Sequence, residues 1–216
     1  MLKKMKTFLK KNRLFAGKKK GSHKAQSLVE IAITFPLLLM LLSGLVEFGF
    51  MLNYYLSLTD VTRETARFFS NFDPFDDFGN DKISFYTDAT GFLLYSLEPA
   101  DVNDTSRKIV LDSSADDIVI SVFSVSGSTI TRYPSSLGGE YKWFNNHSSN
   151  FTVTEIGNRL VANAPDTGIL LVEIYYDYHQ ILGLPWVTAF VPDPTTLYAY
   201  TMMPVPGAAP TPTPLP

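Results

Sequence analysis

Cysteine is absent from this 216-residue chain, which excludes a disulfide scaffold, thiol nucleophiles and the common cysteine-based zinc motifs. Histidine is scarce: His23, His147 and His179 stand far apart, none in a metal-ligand spacing. No glycine-rich phosphate loop follows a strand pattern, and no serine lies in a Gly-x-Ser-x-Gly elbow. Asp76, Asp77 and Asp81, and the pair Asp116 and Asp117, lack the grammar of a dedicated calcium loop and read as solvated acidic turns. These gaps point away from an enzyme and imply no cofactor and no metal. Two further absences are positional. No acidic residue precedes Glu30, and no charge of either sign occurs from Ile31 to Val46.

What fills the first gap is lysine. Ten of the eighteen basic residues fall at or before Lys24, leaving eight basic against twenty-one acidic groups from Gln26 onward, a net −13 within an overall −3. A nucleic-acid-binding tail is one reading of such a cluster. Its position ahead of an apolar run favours the other: a basic cytoplasmic flank, one span, and the bulk of the chain outside. Nucleic acid is therefore not an expected partner, and membrane lipid is.

The apolar run extends through Phe48-Gly49-Phe50-Met51-Leu52, enough helix for a hydrocarbon core of about 30 Å at about 1.5 Å per residue. It is longer than a cleaved signal's apolar stretch and contains Glu47, so an uncleaved span is expected. Pro36 removes a backbone hydrogen bond and predicts a kink. Ser43 and Gly44 make a small patch suited to helix–helix approach, although Pro36 and Gly44 are equally ordinary in a membrane helix. Glu47 falls near the outer end, placed either for headgroups and water or for a helix–helix contact.

Beyond the span, Met51, Tyr54, Leu58, Val61, Thr65, Phe68 and Phe72 recur at steps of three and four, predicting one apolar face of a continuing helix. From Gln26 to Ser70 a full helix would measure about 65 Å. Opposite charges at Asp60 and Arg63, and at Glu64 and Arg67, sit on the other face. Asn71-Phe72-Asp73-Pro74 ends the helix. Residues 73–81 read as an acidic turn, and Ile83 to Leu97 as a second helix burying Phe85, Ala89, Phe92, Leu93 and Leu97. A hairpin is predicted from Ala115–Val125 through Ser126-Gly127-Ser128 to Thr129–Tyr133. Leu137–Asn150 reads as irregular, with Tyr141, Trp143 and Phe144 packing inward, and Thr154–Asn163 as a short helix with Ile156, Leu160 and Val161 inward. Ile169–Tyr178 is the strongest strand pattern and Thr195–Met203 a final antiparallel partner, joined by a long crossover loop. Tyr175, Tyr176, Tyr178 and His179 alternate across the strand, where packing accounts for them. Asn103, Asn146 and Asn150 begin short sequons. The tail from Pro204 to Pro216, dominated by Pro, Ala and Thr, is expected to be disordered or extended.

The fold class expected is α+β: a long N-terminal transmembrane and rod helix followed by a small domain with an antiparallel sheet. Its divisions are a basic leader (1–25), the span (26–52), the helix continuation (53–72), the domain (73–203) and the tail (204–216).

Gln26-Ser27-Leu28-Val29-Glu30, Phe35-Pro36-Leu37-Leu38-Leu39, Val46-Glu47-Phe48-Gly49 and Thr62-Arg63-Glu64-Thr65-Ala66-Arg67 together resemble the TadE-like pseudopilins of bacterial tight-adherence (Tad or Flp) pilus systems. The resemblance spans residues 24–69. It implies a type IV pilin-like plan and a prepilin-peptidase cut between Ala25 and Gln26, where the family usually carries Gly in place of Ala25. It further implies assembly roles for Glu30 and Glu47. The function implied is a non-enzymatic minor pilin. Its partners would be other pilin subunits, the prepilin peptidase and an inner-membrane assembly platform. The alternative from another class is a single-span, membrane-anchored ligand-binding or sensor module.

Overall fold

The computed structural model describes residues 22–98, 109–161 and 165–210. The lysine-rich leader up to residue 21, Asn103, Asn163 and the tail from residue 211 lie outside them. The structure is α+β: a long apolar helix is followed by a small antiparallel sheet domain. The chain divides into two units, one ending at Leu45 and the other beginning at Val46.

Helix α1 runs from Ser22 to Phe69, with Pro36 inside it. In the first unit every side chain from Gln26 to Leu42 is exposed. In the second unit α1 carries an apolar stripe into the domain core: Leu58, Val61, Ala66 and Phe69 are buried, with Met51 and Tyr54 packed against them. Periodicity predicts Phe68 and Phe72 on this stripe, but both are largely exposed. Eighteen residues make five turns at 3.6 per turn, so Phe69 falls in line with Met51, and strict alternation of three and four, averaging 3.5, falls progressively short of the stripe. Phe69 meets Phe85 edge-on at 5.6 Å, while Phe68 stacks on Phe92 at the rim, 4.8 Å between centroids. Arg67 closes its predicted pair with Glu64 at 2.8 Å on the outer surface.

After an acidic turn, helix α2 (Ile83–Ser96) packs Phe85, Ala89 and Leu93 inward. Tyr86 and Thr90 are buried as well. Tyr86 lies near-parallel to Tyr141, centroids 6.0 Å apart.

The sheet comprises β1 (Asp117–Ser126), β2 (Thr129–Tyr133), β3 (Tyr141–Lys142), β4 (Thr167–Tyr178) and β5 (Thr195–Pro204). Its order is β2-β1-β4-β5, with β3 extending the β2 edge along β1, and every pairing is antiparallel. Ser126 faces Thr129 across a two-residue turn in which Gly127 takes φ +57°, a conformation glycine adopts without strain. The central strands are buried on both faces, so they read as near-continuous apolar runs. One face, with Ile118, Ile120, Val122, Leu170, Val172 and Ile174, packs on α1 and α2. The other, with Phe123 and Leu171, is covered by Phe151 and by Ile156 of α3 (Val153–Arg159).

Several expectations are corrected. Helix α3 stops at Arg159 and leaves Val161 75% exposed. It is fixed at its start by a capping box: Thr152 accepts from the Glu155 N–H, and Glu155 accepts from the Thr152 N–H. Trp143 is exposed rather than packed inward. The β4–β5 connection joins neighbouring antiparallel strands, so it is a return loop rather than a crossover, and it carries the single-turn helix α4 (Pro185–Thr188). At the start of β4, a Cβ on Gly168 would lie 2.2 Å from the Val205 carbonyl oxygen and 2.7 Å from Ala208 Cβ, so residues 205–208 pack directly on its backbone, with Val205 and Ala208 buried rather than in a disordered tail.

Candidate functional site

Among the described residues α1 is the one helix long and apolar enough to cross a membrane; its most apolar window has mean hydropathy 2.2 and is unburied. Glu30 sits near the start of this stretch. Its Oε1 lies 3.5 Å from the Gln26 side-chain nitrogen, one helical turn back. The helix thus brings a carboxylate within a turn of the residue that would head a processed chain. Ala25 lies in the same helix. Gly44 has nothing within 4 Å of where a Cβ would stand, so its backbone is open to close approach.

Glu47 has a different setting. It is 4% exposed, and its carboxylate is taken up by the chain's own domain. Oε1 accepts the Tyr178 hydroxyl at 2.5 Å and the Ile181 N–H at 2.9 Å; Oε2 accepts the Leu182 N–H at 2.8 Å. The sequence offered headgroup contact or helix–helix contact for this residue; its oxygens instead clamp the end of β4 and the loop that follows. Burying a carboxylate costs several kcal/mol unless donors replace water, and three donors converge here. Burial first, then the hydrogen bond from Tyr178 and the charge of Glu47, push the Tyr178 phenol far above its usual pKa, so it stays a donor. Tyr54, two turns along α1 from Glu47, flanks the clamp: it meets Tyr178 edge-on at 5.3 Å and stacks on Tyr176 at 5.8 Å. Burial likewise pushes Tyr176 up to about 12.

Ile181 and Leu182 were missed by sequence reasoning, and Tyr178 was read as packing alone. Their one sequence signal is the run from Gln180 to Pro192, which contains no charged residue and follows a strand rich in tyrosine.

The acidic groups are structural. Asp76 accepts the N–H groups of Phe78 and Asn80, closing its turn, and Asp81 accepts from Ser135 Oγ and the Ser136 N–H. Asp116 and Asp117 are buried rather than solvated. Asp117 accepts the N–H groups of Ile118, Phe144, Asn146 and His147, pinning the loop after β3. Asp116 accepts from Asp112 and Asp177, and desolvation raises its pKa despite those bonds. Asn146 donates its side-chain amide to the carbonyls of Ser113 and Asp116, which engages the sequon nitrogen. His147 stacks on Tyr175, and His179 meets Asp193 at 3.1 Å. Among the described residues no three His, Cys, Asp or Glu side chains converge as a metal site.

On the other sheet face Glu173 is fully buried; its Oε1 accepts from Tyr198 at 2.6 Å and from the Asn150 N–H at 3.0 Å. Arg132 bonds Ser121 and Glu140, and Lys142 reaches Glu140 at 2.8 Å. Burial acts to raise the Glu140 pKa, but Lys142, the Ser149 N–H and Arg132 outweigh it and hold the group below its usual value.

An N-terminal apolar helix that fits a single-pass membrane anchor, carrying a small antiparallel α+β domain, defines the class of protein. The family model described as TadE-like protein matches residues 25–67, the stretch of α1 in which those sequence motifs lie. No curated protein sequence and no solved structure shows significant similarity to the chain.

Proposed function

We propose that this chain is a non-enzymatic minor pilin, or pseudopilin, that helps to initiate or assemble a Tad-type pilus. The observation that carries the reading is that the family match takes in an apolar helix surface with no cover from the rest of the chain. The TadE-like match covers residues 25–67, and the helix over that stretch leaves every side chain from Gln26 to Leu42 exposed. That apolar surface has lipid as its partner before assembly and other subunits' helices afterwards. In this reading the lysine-rich leader stays cytoplasmic and the domain faces outward. The prepilin peptidase cuts between Ala25 and Gln26, and the assembly platform extracts the mature chain.

The cut creates a charged α-amine at Gln26 inside a packed, low-dielectric helix bundle. Left unpaired, that charge costs several kcal/mol. Glu30, one turn along the same helix, is the group able to neutralise it, in its own chain or across to a neighbour. Pro36 and Gly44 then adapt and pack the helix against other subunits. Glu47 contributes indirectly, because its clamp on Tyr178 holds the domain to its helix.

The test is Glu30→Ala in the native organism. The variant should insert in the membrane as the parent does and lose co-purification with the other pilus subunits. Undiminished co-purification overturns the pairing role.

A further inference from the structure

We propose that the β4–β5 loop is a second membrane contact: Ile181, Leu182, Trp186 and Phe190 enter the lipid–water interface at the Glu47 end of the span. This contact is independent of pilus assembly and rests on α1 crossing the bilayer. Three observations converge on it.

The loop is apolar and outward-facing. No charge occurs between Gln180 and Pro192, and Phe190 is 82%, Ile181 50%, Trp186 38% and Leu182 37% exposed. Single exposed apolar side chains are ordinary, but several on one uncharged loop form an apolar surface of the kind that marks an interaction site. The loop is also organised without a partner. Leu184 and Pro185 open α4, Val187 is buried, and Thr188 Oγ1 donates to the Pro185 carbonyl.

Its position identifies the partner as lipid rather than protein. Glu47 is the first charge after the uncharged stretch from Ile31 to Val46, so it lies at the outer end of the span, within two turns of its boundary at Leu52. The Glu47 carboxylate holds the N–H groups of Ile181 and Leu182. The apolar loop is therefore tied, at its first residues, to the outer end of the span. Charge returns on the far side of the loop, where His179 pairs with Asp193. A Trp and a Phe flanked by Leu and Ile make the side-chain set that partitions at headgroup level. With no Lys or Arg in the loop, the contact needs no anionic headgroup.

The absence of cysteine makes the test direct. Phe190→Cys, Phe78→Cys and Leu38→Cys are each labelled with a nitroxide in the full chain, reconstituted at one copy per phosphatidylcholine nanodisc. Collision with oxygen, which concentrates in lipid, is compared with collision with a neutral nickel chelate, which stays in water. Leu38 reports whether the span is inserted, and Phe78, 90% exposed in the acidic turn, reports water. With Leu38 in lipid, the oxygen-to-nickel ratio at Phe190 should exceed that at Phe78 by about threefold or more, as for an interfacial residue. A Phe190 ratio equal to that of Phe78 overturns the proposal. So does a label at Phe190 shielded from both reagents, the mark of a protein partner. If Leu38 itself reads as water, the span is refuted and the loop contact falls with it.

Discussion

Replacing Glu47 by glutamine keeps the side chain's size and removes its charge, which isolates what the carboxylate does. In the native chain Oε1 takes two donors and Oε2 one. A glutamine carbonyl can still accept from Tyr178 and Ile181, but its NH2 group then faces the Leu182 N–H, donor against donor. Abolishing one charge-assisted bond and weakening two others costs about 4 kcal/mol. A neutral amide is cheaper to bury than a carboxylate, which offsets about 2 kcal/mol of that. The net loss of about 2 kcal/mol lowers the free energy of local opening, so the Ile181 and Leu182 amides should exchange with deuterium roughly 30-fold faster. Tyr178→Phe removes one donor and leaves both N–H bonds, so it should cost about 1 kcal/mol and accelerate exchange about fivefold. The assay is hydrogen–deuterium exchange on the full chain in nanodiscs, read on peptides covering residues 179–184, with β1 as an internal reference. Exchange in Glu47→Gln within about twofold of the parent would refute the clamp, since a loop held by other contacts would not register the lost acceptor.

Three other perturbations have worked-out signs. Gly168→Ala pushes a Cβ into the Val205 carbonyl and Ala208 and should cost about 2 kcal/mol, lowering Tm by about 6 °C in a thermal melt; an unchanged Tm contradicts the close packing. Asp117→Asn turns an NH2 group toward two of the four backbone N–H donors it now satisfies, and should cost about 3 kcal/mol, seen as faster amide exchange confined first to residues 144–147. Glu140 has a folded pKa below its unfolded one, so its stabilisation is full above the unfolded value of about 4.3 and is lost as pH falls through the folded value. Glu140→Gln should therefore melt earlier than the parent at neutral pH, with the gap closing in acid; a gap constant from neutral pH down to pH 3 contradicts the assignment.

The parts of this fold legible in the sequence are those set by local pattern. β-Branched alternation located β1, β2, β4 and β5 to within a residue or two at each end, and Gly127 marked the hairpin turn. The missed features depend on partners far along the chain. Asp116 and Asp117 look like a solvated turn until the loop after β3 brings its N–H groups back to them. Glu47 looks like an interfacial carboxylate until Tyr178, more than a hundred residues later, arrives beside it. Helix α3 ended sooner than its apolar residues suggested because Leu160 adopts an extended backbone, turning Val161 outward. The spacing behind the proposed pairing was legible for the opposite reason: Gln26 and Glu30 lie one helical turn apart, so their relation is local.

The most direct test of the account is the mass of the full chain extracted from membranes of its own host, with the prepilin peptidase active. The account predicts a mature N-terminus at Gln26, with every residue through Ala25 removed. A chain that still begins at Met1 would contradict it.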